Sequence, residues 1–246
     1  MMDSYADFAP VYDRFMSDCP YSARADYLLG LFREFGSCPK LMLDLACGTG
    51  SLSLEMTKRG VDVIGVDRSA DMLALAREKT SHMEQKALWL CQEGAELDLY
   101  GTVDSAVCTL DSINHFTDPA DLASTLERVH LFLEPGGLFL FDVNSEYKHE
   151  MVLADHAYVL EDDDIFCTWQ NVTEMPYTTV ILDFFQRDGD RYVRHHEEFE
   201  ERAWSAAELE AMLRQAGFEI LARFDDMTTL PPTATTERIQ YVTRRI

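Results

Sequence analysis

The chain alternates between short apolar runs and amphipathic stretches from residue 21 to residue 144. In chain order the apolar runs read LMLDLA, VDVIGVD, ALWLCQE, VDSAVCTL and LFLFDVN. They lack a strict polar alternation, which is typical of strands buried on both faces of a parallel sheet. The stretches with helical spacing are YSARADYLLGLFREFG before the first run, then SLSLEMTKRG, SADMLALAREKT and PADLASTLERVHLFLEPGG. Such alternation of strand and helix predicts an α/β fold with helices on both faces of a parallel sheet.

The pattern changes after Asn144. Residues 145–202 contain strand-like runs without intervening helical stretches, and the Asp-Gly pair of RDGD between two of them predicts a hairpin. The acidic segment EDDD before these runs is predicted to be an exposed loop. Ser205 and Glu208 then have the spacing of a capping box at the start of another helix. Two further strand-like runs, FEILARFDD and ERIQYVTRRI, complete the chain.

These elements predict an interrupted domain. Residues 1–144 and 203–246 would form the α/β domain, and residues 145–202 would form a small antiparallel β insertion after the fifth strand. Open α/β sheets bind ligands at the carboxyl ends of their strands, so we expect the insertion to cap a substrate pocket. Its own core is predicted to contain four aromatic residues. These are Trp169, Phe184, Phe185 and Phe199.

The chain is strongly acidic, with a formal net charge of −23. Non-specific nucleic-acid binding requires Lys and Arg side chains that neutralise phosphates, and an anionic membrane surface attracts the same side chains. The charge therefore argues against both partners. It favours a small-molecule substrate, for a protein that we expect to be a monomer or a homodimer.

Six cysteines are scattered along the chain without a CxxC pair, and no histidine cluster has metal-ligand spacing. Thiols within apolar runs behave as small hydrophobic residues, and this usage is typical of a reducing compartment. Asp3 and Asp7 interrupt any apolar leader after Met1, and no apolar stretch reaches membrane-spanning length. We therefore expect a cytoplasmic protein without a metal site.

The segment LDLACGTG joins the first predicted strand to a helix. Gly48 and Gly50 permit a tight turn and a close approach of a ligand to the backbone. The dinucleotide fingerprint G-x-G-x-x-G needs a third glycine, where this chain has Ser53. Asp44, near the end of the strand, would repel a pyrophosphate and attract an ammonium or sulfonium group. S-adenosylmethionine carries both cations and no phosphate, so the pattern favours it over NAD.

With these residues the chain resembles the class I S-adenosylmethionine-dependent methyltransferases, over roughly residues 5–144 and 203–246. LDLACGTG is similar to the first motif of that family, and Asp67 stands where the family binds both ribose hydroxyls. A carboxylate suits a diol because it offers two acceptor oxygens. The resemblance implies a Rossmann-like, doubly wound, mostly parallel seven-stranded sheet whose last strand is antiparallel. It also implies S-adenosyl-L-methionine as the cofactor and S-adenosyl-L-homocysteine as the product.

The resemblance further implies a set of cofactor-binding residues. DRSADML would place Met72 on the adenine ring, and LCQEGAELDL would offer Glu93 and Gly94 to the edge of that ring. CTLDSINHF would place Leu110 and Asp111 beside the methionine part of the cofactor. The full set is Tyr12, Tyr21, Asp44, Ala46, Cys47, Gly48, Gly50, Asp67, Arg68, Met72, Glu93, Gly94, Leu110 and Asp111.

The acceptor side follows from the same resemblance. Asn114 and His115 would face the substrate, and YADFAPVYDRFM is similar to a helical cap in which Tyr12 and Tyr21 close over the site. His115 and Tyr12 are the candidate catalytic residues, because either side chain could take a proton from a hydroxyl or an amine. Many such transfers need only weak help from a base, so alignment of the reactants is the main task.

Simpler roles compete with several of these assignments. Met72 at helical spacing with Leu73 is typical of a core residue. Glu93 is as compatible with the surface as with the site, and a histidine such as His115 is often structural. For the whole protein, an NAD(P)-dependent oxidoreductase would share the glycine turn and the ribose carboxylate. A non-catalytic cofactor-binding module would also share the fold.

Overall fold

A computed structural model describes residues 9–82 and 87–246. The first residues of the N-terminal segment, including Asp3 and Asp7, lie outside the described residues. The α-helices are α1 (Ala9–Phe15), α2 (Tyr21–Glu34), α3 (Ser51–Lys58), α4 (Ala70–Thr80), α5 (Pro119–Phe132) and α6 (Ala206–Gln215). The strands are β1 (Leu41–Leu45), β2 (Asp62–Asp67), β3 (Leu88–Cys91), β4 (Val103–Cys108), β5 (Leu133–Asn144), β6 (Ala157–Asp162), β7 (Ile165–Glu174), β8 (Tyr177–Asp188), β9 (Arg191–Arg202), β10 (Phe218–Asp225) and β11 (Arg238–Arg245).

The larger sheet has seven strands in the order β10-β11-β5-β4-β1-β2-β3. Strands β1 to β5 run parallel, whereas β11 pairs antiparallel with both β5 and β10. The predicted fold class is therefore confirmed. Residues such as Leu28 and Phe32 of α2 pack on one face of the sheet, and Leu126 of α5 and Leu209 of α6 pack in the core on the other face. Helices on both faces explain why the central strands are mostly apolar and lack a strict polar alternation.

The strand order reverses between β1 and β4, which are neighbours although β2 and β3 intervene in the chain. The carboxyl ends of β1 to β5 meet at one edge, and such a reversal opens a crevice there. Val107 of β4 pairs with Asp44 of β1 at this edge. The candidate site lies at this carboxyl edge.

The insertion forms a four-stranded antiparallel sheet in the order β6-β7-β8-β9. Its buried core includes Phe184, and Trp169 and Phe199 pack against that core as expected. The expectation for Phe185 is wrong, because strand alternation directs it to the other face, where its ring lies 6.3 Å from the Phe166 ring. The hairpin predicted at RDGD joins β8 to β9.

Several boundaries differ from the sequence-based prediction. EDDD is not wholly a loop, because Glu161 and Asp162 belong to β6 and pair with β7. Strand β5 begins at Leu133 rather than after the Pro-Gly-Gly turn, since the fully buried Leu133 pairs with Val103 of β4. The capping box is confirmed at the start of α6, with Ser205 as its N-cap. Across the described ranges, every helix is too short or too polar to span a bilayer.

Candidate active site

The loop after β1 contains three residues in the left-handed backbone region. Ala46, Gly48 and Gly50 have φ values of 54°, 53° and 70°. A Cβ on Gly48 would meet no atom within 4 Å, whereas a Cβ on Gly50 would lie 2.5 Å from the Trp89 ring. The backbone is thus open to a ligand at Gly48 and packed from below at Gly50. Burial raises the pKa of the Cys47 thiol between them, as expected for a packing residue rather than a nucleophile.

Asp67 ends β2 and contacts the glycine loop. Its Oδ2 accepts a hydrogen bond from the Gly48 amide at 2.8 Å, and its Oδ1 accepts one from the Ser69 amide at 2.9 Å. These two bonds connect the loop after β1 to the loop after β2. The side chain is only partly buried, so a ligand can still reach it. A cleft of about 350 Å³ opens further along this edge, within the roughly 300–1,000 Å³ typical of small-molecule sites. It is lined by Arg68, Cys91, Gln92, Glu93 and Glu96.

Asp44 lies within the sheet beneath the loop. It is 3% exposed, and its Oδ2 accepts a hydrogen bond of 2.5 Å from the Ser53 hydroxyl. Burial raises the pKa of Asp44 to about 7, although the Ser53 hydrogen bond opposes this shift. Asp44 is therefore not the fixed charge that the sequence suggests, because removal from water makes its anion costly near neutral pH. A cation nearby would favour the carboxylate, so the preference for a cationic ligand still follows.

The residues predicted on the adenine side lie at different depths. Glu93 and Arg68 are exposed and share the cleft. Gly94 is buried, and a Cβ there would lie 3.0 Å from the Phe116 ring. Met72 is 4% exposed on the buried side of α4. Met72 therefore offers little surface to a ligand, which favours its simpler role as a core residue.

Helix α1 contacts both the glycine loop and the insertion. The Thr49 hydroxyl donates a hydrogen bond of 2.6 Å to Asp13 Oδ1, and Asp13 also pairs with Lys79 of α4 at 2.6 Å. On the other side, the Arg14 guanidinium lies 2.7 Å from Asp162 Oδ2 of β6. This helix therefore links the loop after β1 to the insertion.

Tyr12 and Tyr21 are hydrogen-bonded to each other. Burial raises the pKa of Tyr12, and the Asp111 carboxylate adds to this shift. Burial also raises the pKa of Tyr21. A phenol that keeps its proton is a poor base. The structure thus places Tyr12 near Asp111, and the raised pKa of Tyr12 favours His115 over Tyr12 as a proton acceptor.

The chain after β4 contains two consecutive non-glycine residues in the left-handed region. Leu110 and Asp111 have φ values of 57° and 58°, which is uncommon for residues with a Cβ. The fully buried Asp142 of β5 supports both residues, because its carboxylate accepts hydrogen bonds from their amides at 2.9 Å and 2.7 Å. Asp111 Oδ2 in turn accepts a hydrogen bond of 2.6 Å from Asn144 Nδ2. A buried carboxylate therefore fixes where Asp111 stands.

Four carboxylates and three cationic side chains lie together at this end of the edge, and we call them the buried charge network. Arg238 lies 3.0 Å from Asp111, and Arg24 lies 2.7 Å from Asp226. Burial alone would raise the pKa of Asp111, but Arg238 and Lys148 lower it below its usual range. The full network is Arg24, Asp111, Asp142, Lys148, Glu201, Asp226 and Arg238.

His115 lies between this network and the insertion. Its Nε2 is 4.0 Å from Glu201 Oε1, and its ring centroid is 5.2 Å from that of Phe199. Burial lowers the pKa of His115, although Asp111 opposes this shift. The imidazole is therefore neutral at pH 7 and able to accept a proton.

The expectation that Asn114 faces the substrate is wrong, because the structure buries this residue completely. Its Nδ2 donates hydrogen bonds to the Asn144 carbonyl at 3.2 Å and to the Arg202 carbonyl at 2.8 Å. These bonds connect the turn after β4 to β5 and to β9. Asn114 therefore holds the insertion against the larger sheet.

Sequence reasoning missed most of the buried charge network. Asp142 and Asn144 carried a signal, since they are polar residues at the carboxyl end of an otherwise apolar run. Glu201 carried none, because it stands in the acidic segment EEFEER, which is typical of a solvated strand. Its burial is decided by the packing of β9 on the turn after β4.

Comparison with known proteins agrees with this architecture. Residues 42–137 match the family described as "Methyltransferase domain". The chain is 35% identical over 238 residues to the putative methyltransferase YqeM of Bacillus subtilis, covering 96% of this chain and 94% of that protein. It is 30% identical over 246 residues to a putative methyltransferase of Geobacillus sp., covering 98% of this chain and 100% of that protein. The crystal structure of an S-adenosylmethionine-dependent methyltransferase from Clostridium acetobutylicum aligns with a TM-score of 0.89 and 33% identity, over 98% of both chains.

The fold, the glycine loop and these relatives together identify the class of protein. The chain belongs to the class I S-adenosylmethionine-dependent methyltransferases, and it is an enzyme that uses S-adenosyl-L-methionine. The site fits that cofactor, because the backbone is open at Gly48 and a partly buried carboxylate, Asp67, lies beside it. The oxidoreductase and the non-catalytic module considered from the sequence are therefore set aside.

Proposed function

We propose that the enzyme methylates a small-molecule acceptor bound between the carboxyl edge of the sheet and the inner face of the insertion. The observation that carries this proposal is the approach of His115, from the turn after β4, to Phe199 and Glu201 of β9. Residues 145–202 would act as the cap, and residues 1–144 with 203–246 as the cofactor-binding domain. The net charge of −23 supports a small acceptor over a nucleic acid. Six free cysteines support a reducing, cytoplasmic location.

Different residues at the carboxyl edge would bind the cofactor and accept the proton. Bound S-adenosylmethionine supplies an electrophilic methyl group on a sulfonium centre. Asp67 would accept hydrogen bonds from the ribose hydroxyls. The Gly48 backbone would approach the methionine part of the cofactor, and Asp111 would lie beside that part. Alignment of the two reactants accounts for most of the rate. Helix α1 and the insertion would exclude water, and the neutral imidazole of His115 would accept a proton from the acceptor.

The proposal is tested by following a labelled methyl group. The enzyme is incubated with methyl-labelled S-adenosylmethionine and a bacterial extract separated into small-molecule and macromolecular fractions. We expect label in products of the small-molecule fraction, and we expect the Asp67→Ala variant to lose this labelling. Label that enters only protein or nucleic acid would contradict the small-molecule assignment.

A further inference from the structure

Glu201 stands out among the carboxylates of the buried charge network. Its side chain is 8% exposed, and across residues 9–82 and 87–246 no Lys or Arg nitrogen lies within 4.0 Å of it. Its nearest basic groups are the imidazoles of His115 at 4.0 Å and His149 at 3.8 Å. Its hydrogen bond is a long one, 3.4 Å from Asn144 Nδ2 to Oε2. Glu201 Oε1 therefore remains available to a ligand.

The neighbouring histidines do not neutralise this carboxylate. His149 is fully buried, and its Nδ1 lies 3.0 Å from the Thr178 hydroxyl. Burial lowers the pKa of His149 to about 4, although Asp111 opposes the shift. Burial likewise lowers the pKa of His115. Both imidazoles are therefore neutral at pH 7.

The cations of the network are directed elsewhere. Arg24 pairs with Asp142 and Asp226, and Arg238 pairs with Asp111 and Asp142. The third cation, the Lys148 ammonium, donates a hydrogen bond of 2.9 Å to Asn144 Oδ1. Four carboxylates thus face three cations, and Glu201 is the one of these four that has no Lys or Arg ion pair within 4.0 Å. Burial favours the neutral acid of such a group, and an opposite charge brought by a ligand favours its carboxylate.

We infer that Glu201 binds the amino group of the acceptor and takes its proton, so that the acceptor is a primary or secondary amine. This inference rests on the proposed function, and it assigns a proton acceptor on the insertion beside His115. An alcohol would bring no positive charge to Glu201, whereas a protonated amine brings one. The site therefore selects the acceptor by its charge before the methyl group is transferred.

Transfer of the methyl group to an ammonium requires that the ammonium first lose a proton. One N–H bond of the ammonium breaks, the proton goes to Glu201, and the electron pair stays on nitrogen. That lone pair then forms the bond to the methyl carbon, while the carbon–sulfur bond breaks and its electron pair stays on sulfur. Glu201 finally passes its proton to water. The products are the methylated ammonium, the thioether and one proton.

The environment of Glu201 suits a group that must both hold and release a proton. Burial raises its pKa above the usual range, Asp111 adds to this, and Lys148 and Arg238 oppose it. The groups facing it from the turn after β4 and from the segment after β5 are His115 and His149. A base with a pKa near the working pH is the most effective one.

The first test measures binding and does not need the acceptor. Calorimetry compares the affinities of S-adenosylmethionine and S-adenosylhomocysteine for the wild type and for Glu201→Gln. We expect both affinities to stay within about twofold of wild type, because the carboxylate serves the acceptor. If Glu201→Gln weakened only S-adenosylmethionine, Glu201 would be a partner of the sulfonium and the inference would be overturned.

The second test uses matched acceptors with the wild-type enzyme. The probes are benzylamine against benzyl alcohol, ethanolamine against ethylene glycol, and glucosamine against glucose, with product masses as the readout. We expect methylation of amines only. For Glu201→Gln we expect kcat with an accepted amine to fall by about 100-fold or more. Glu200→Gln, on the exposed face of the same strand, is the matched control and should keep wild-type rates.

The pH profile adds a signature that a structural role would not give. For the wild type, kcat/KM should rise as the pH passes through the pKa of Glu201. For Glu201→Gln, this rise of kcat/KM should be absent. Methylation of an alcohol, methylation of no amine, or unchanged turnover in Glu201→Gln would overturn the inference. Failure to bind S-adenosylhomocysteine would instead count against the proposed function, so the two failures are distinguishable.

Discussion

The two halves of the carboxyl edge are built in opposite ways. The cofactor half, at the ends of β1, β2 and β3, is formed by backbone amides, one hydrogen-bonded carboxylate and a glycine loop. The acceptor half, at the ends of β4 and β5, is formed by the buried charge network and closed by β9. The glycine loop and Asp67 of the first half lie within the 27 residues from Leu41 to Asp67. The second half joins Arg24 to Asp226, 202 positions away in the chain.

This difference separates what the family shares from what the particular enzyme selects. A backbone loop and a carboxylate at the ribose position would recognise features that every S-adenosylmethionine molecule has. Buried charges would recognise one kind of acceptor, because an unmatched charge in a low-dielectric site is costly. The comparison predicts that substitutions in the acceptor half mainly affect stability and acceptor choice. Substitutions in the cofactor half should mainly affect cofactor affinity.

The largest expected effect comes from removing a cation of the network. Arg24→Met removes the guanidinium that lies 3.4 Å from the buried Asp142 and 2.7 Å from the partly buried Asp226. We expect a loss of about 3–5 kcal/mol in the free energy of unfolding, measured by chemical denaturation. Arg59→Met, which removes more exposed ion pairs, should cost about 1 kcal/mol or less. Equal losses in the two variants would show that the network does not hold the acceptor half together.

The next effect concerns Asp67, the charged acceptor of the cofactor half. Asp67→Ala removes both carboxylate oxygens from the ribose position and from the Gly48 and Ser69 amides. We expect the affinity for S-adenosylhomocysteine to fall by about 100-fold or more, since hydrogen bonds to charged groups contribute roughly 1.5–3 kcal/mol each. Circular dichroism should show an intact fold, and the exposed Asp71→Ala should bind normally. If calorimetry showed an unchanged affinity, Asp67 would not bind the ribose hydroxyls.

A third prediction concerns the support beneath the glycine loop. A Cβ on Gly65 would lie 2.3 Å from the Trp89 ring and 3.0 Å from Cys47 Sγ. Gly65→Ala should therefore cost about 1–3 kcal/mol of stability through overpacking, with weaker cofactor binding. Gly30→Ala in α2 meets no atom within 4 Å and should stabilise the protein by roughly 0.5–1 kcal/mol. Denaturant midpoints that move in the same direction would contradict this packing.

The smallest effect is a pH dependence that belongs to the cofactor half. The ligand-free Asp44 has a raised pKa of about 7 because it is buried. A ligand ammonium favours its carboxylate and lowers that pKa, so binding releases a proton below neutral pH. Affinity for S-adenosylhomocysteine should therefore rise with pH, by at most about tenfold per unit, and level off above about pH 7. Calorimetry in two buffers counts the released proton, and Asp44→Asn should abolish it. If the affinity of the wild type did not change with pH, Asp44 would not interact with the ligand ammonium.

The sequence predicts the features of the cofactor half better than those of the acceptor half. The glycine loop, Asp67 and the capping box at Ser205 are local patterns, and the structure has each element where its pattern lies. Met72 and Asn114 were harder to place, because a residue's burial depends on elements that pack on it from elsewhere. The strand β6 was missed because Glu161 and Asp162 resemble a loop in composition, although they pair with β7.

The sequence by itself determined the order of strands and helices, the glycine loop after β1 and the carboxylate that ends β2. These depend on hydrophobic periodicity and on glycine conformations, which are properties of neighbouring residues. Only the tertiary structure decided that Asp44 is buried, that Asp142 supports Asp111, and that Glu201 lies among neutral imidazoles. The physical reason is that desolvation and charge pairing depend on distances between residues far apart in the chain, which no local pattern encodes.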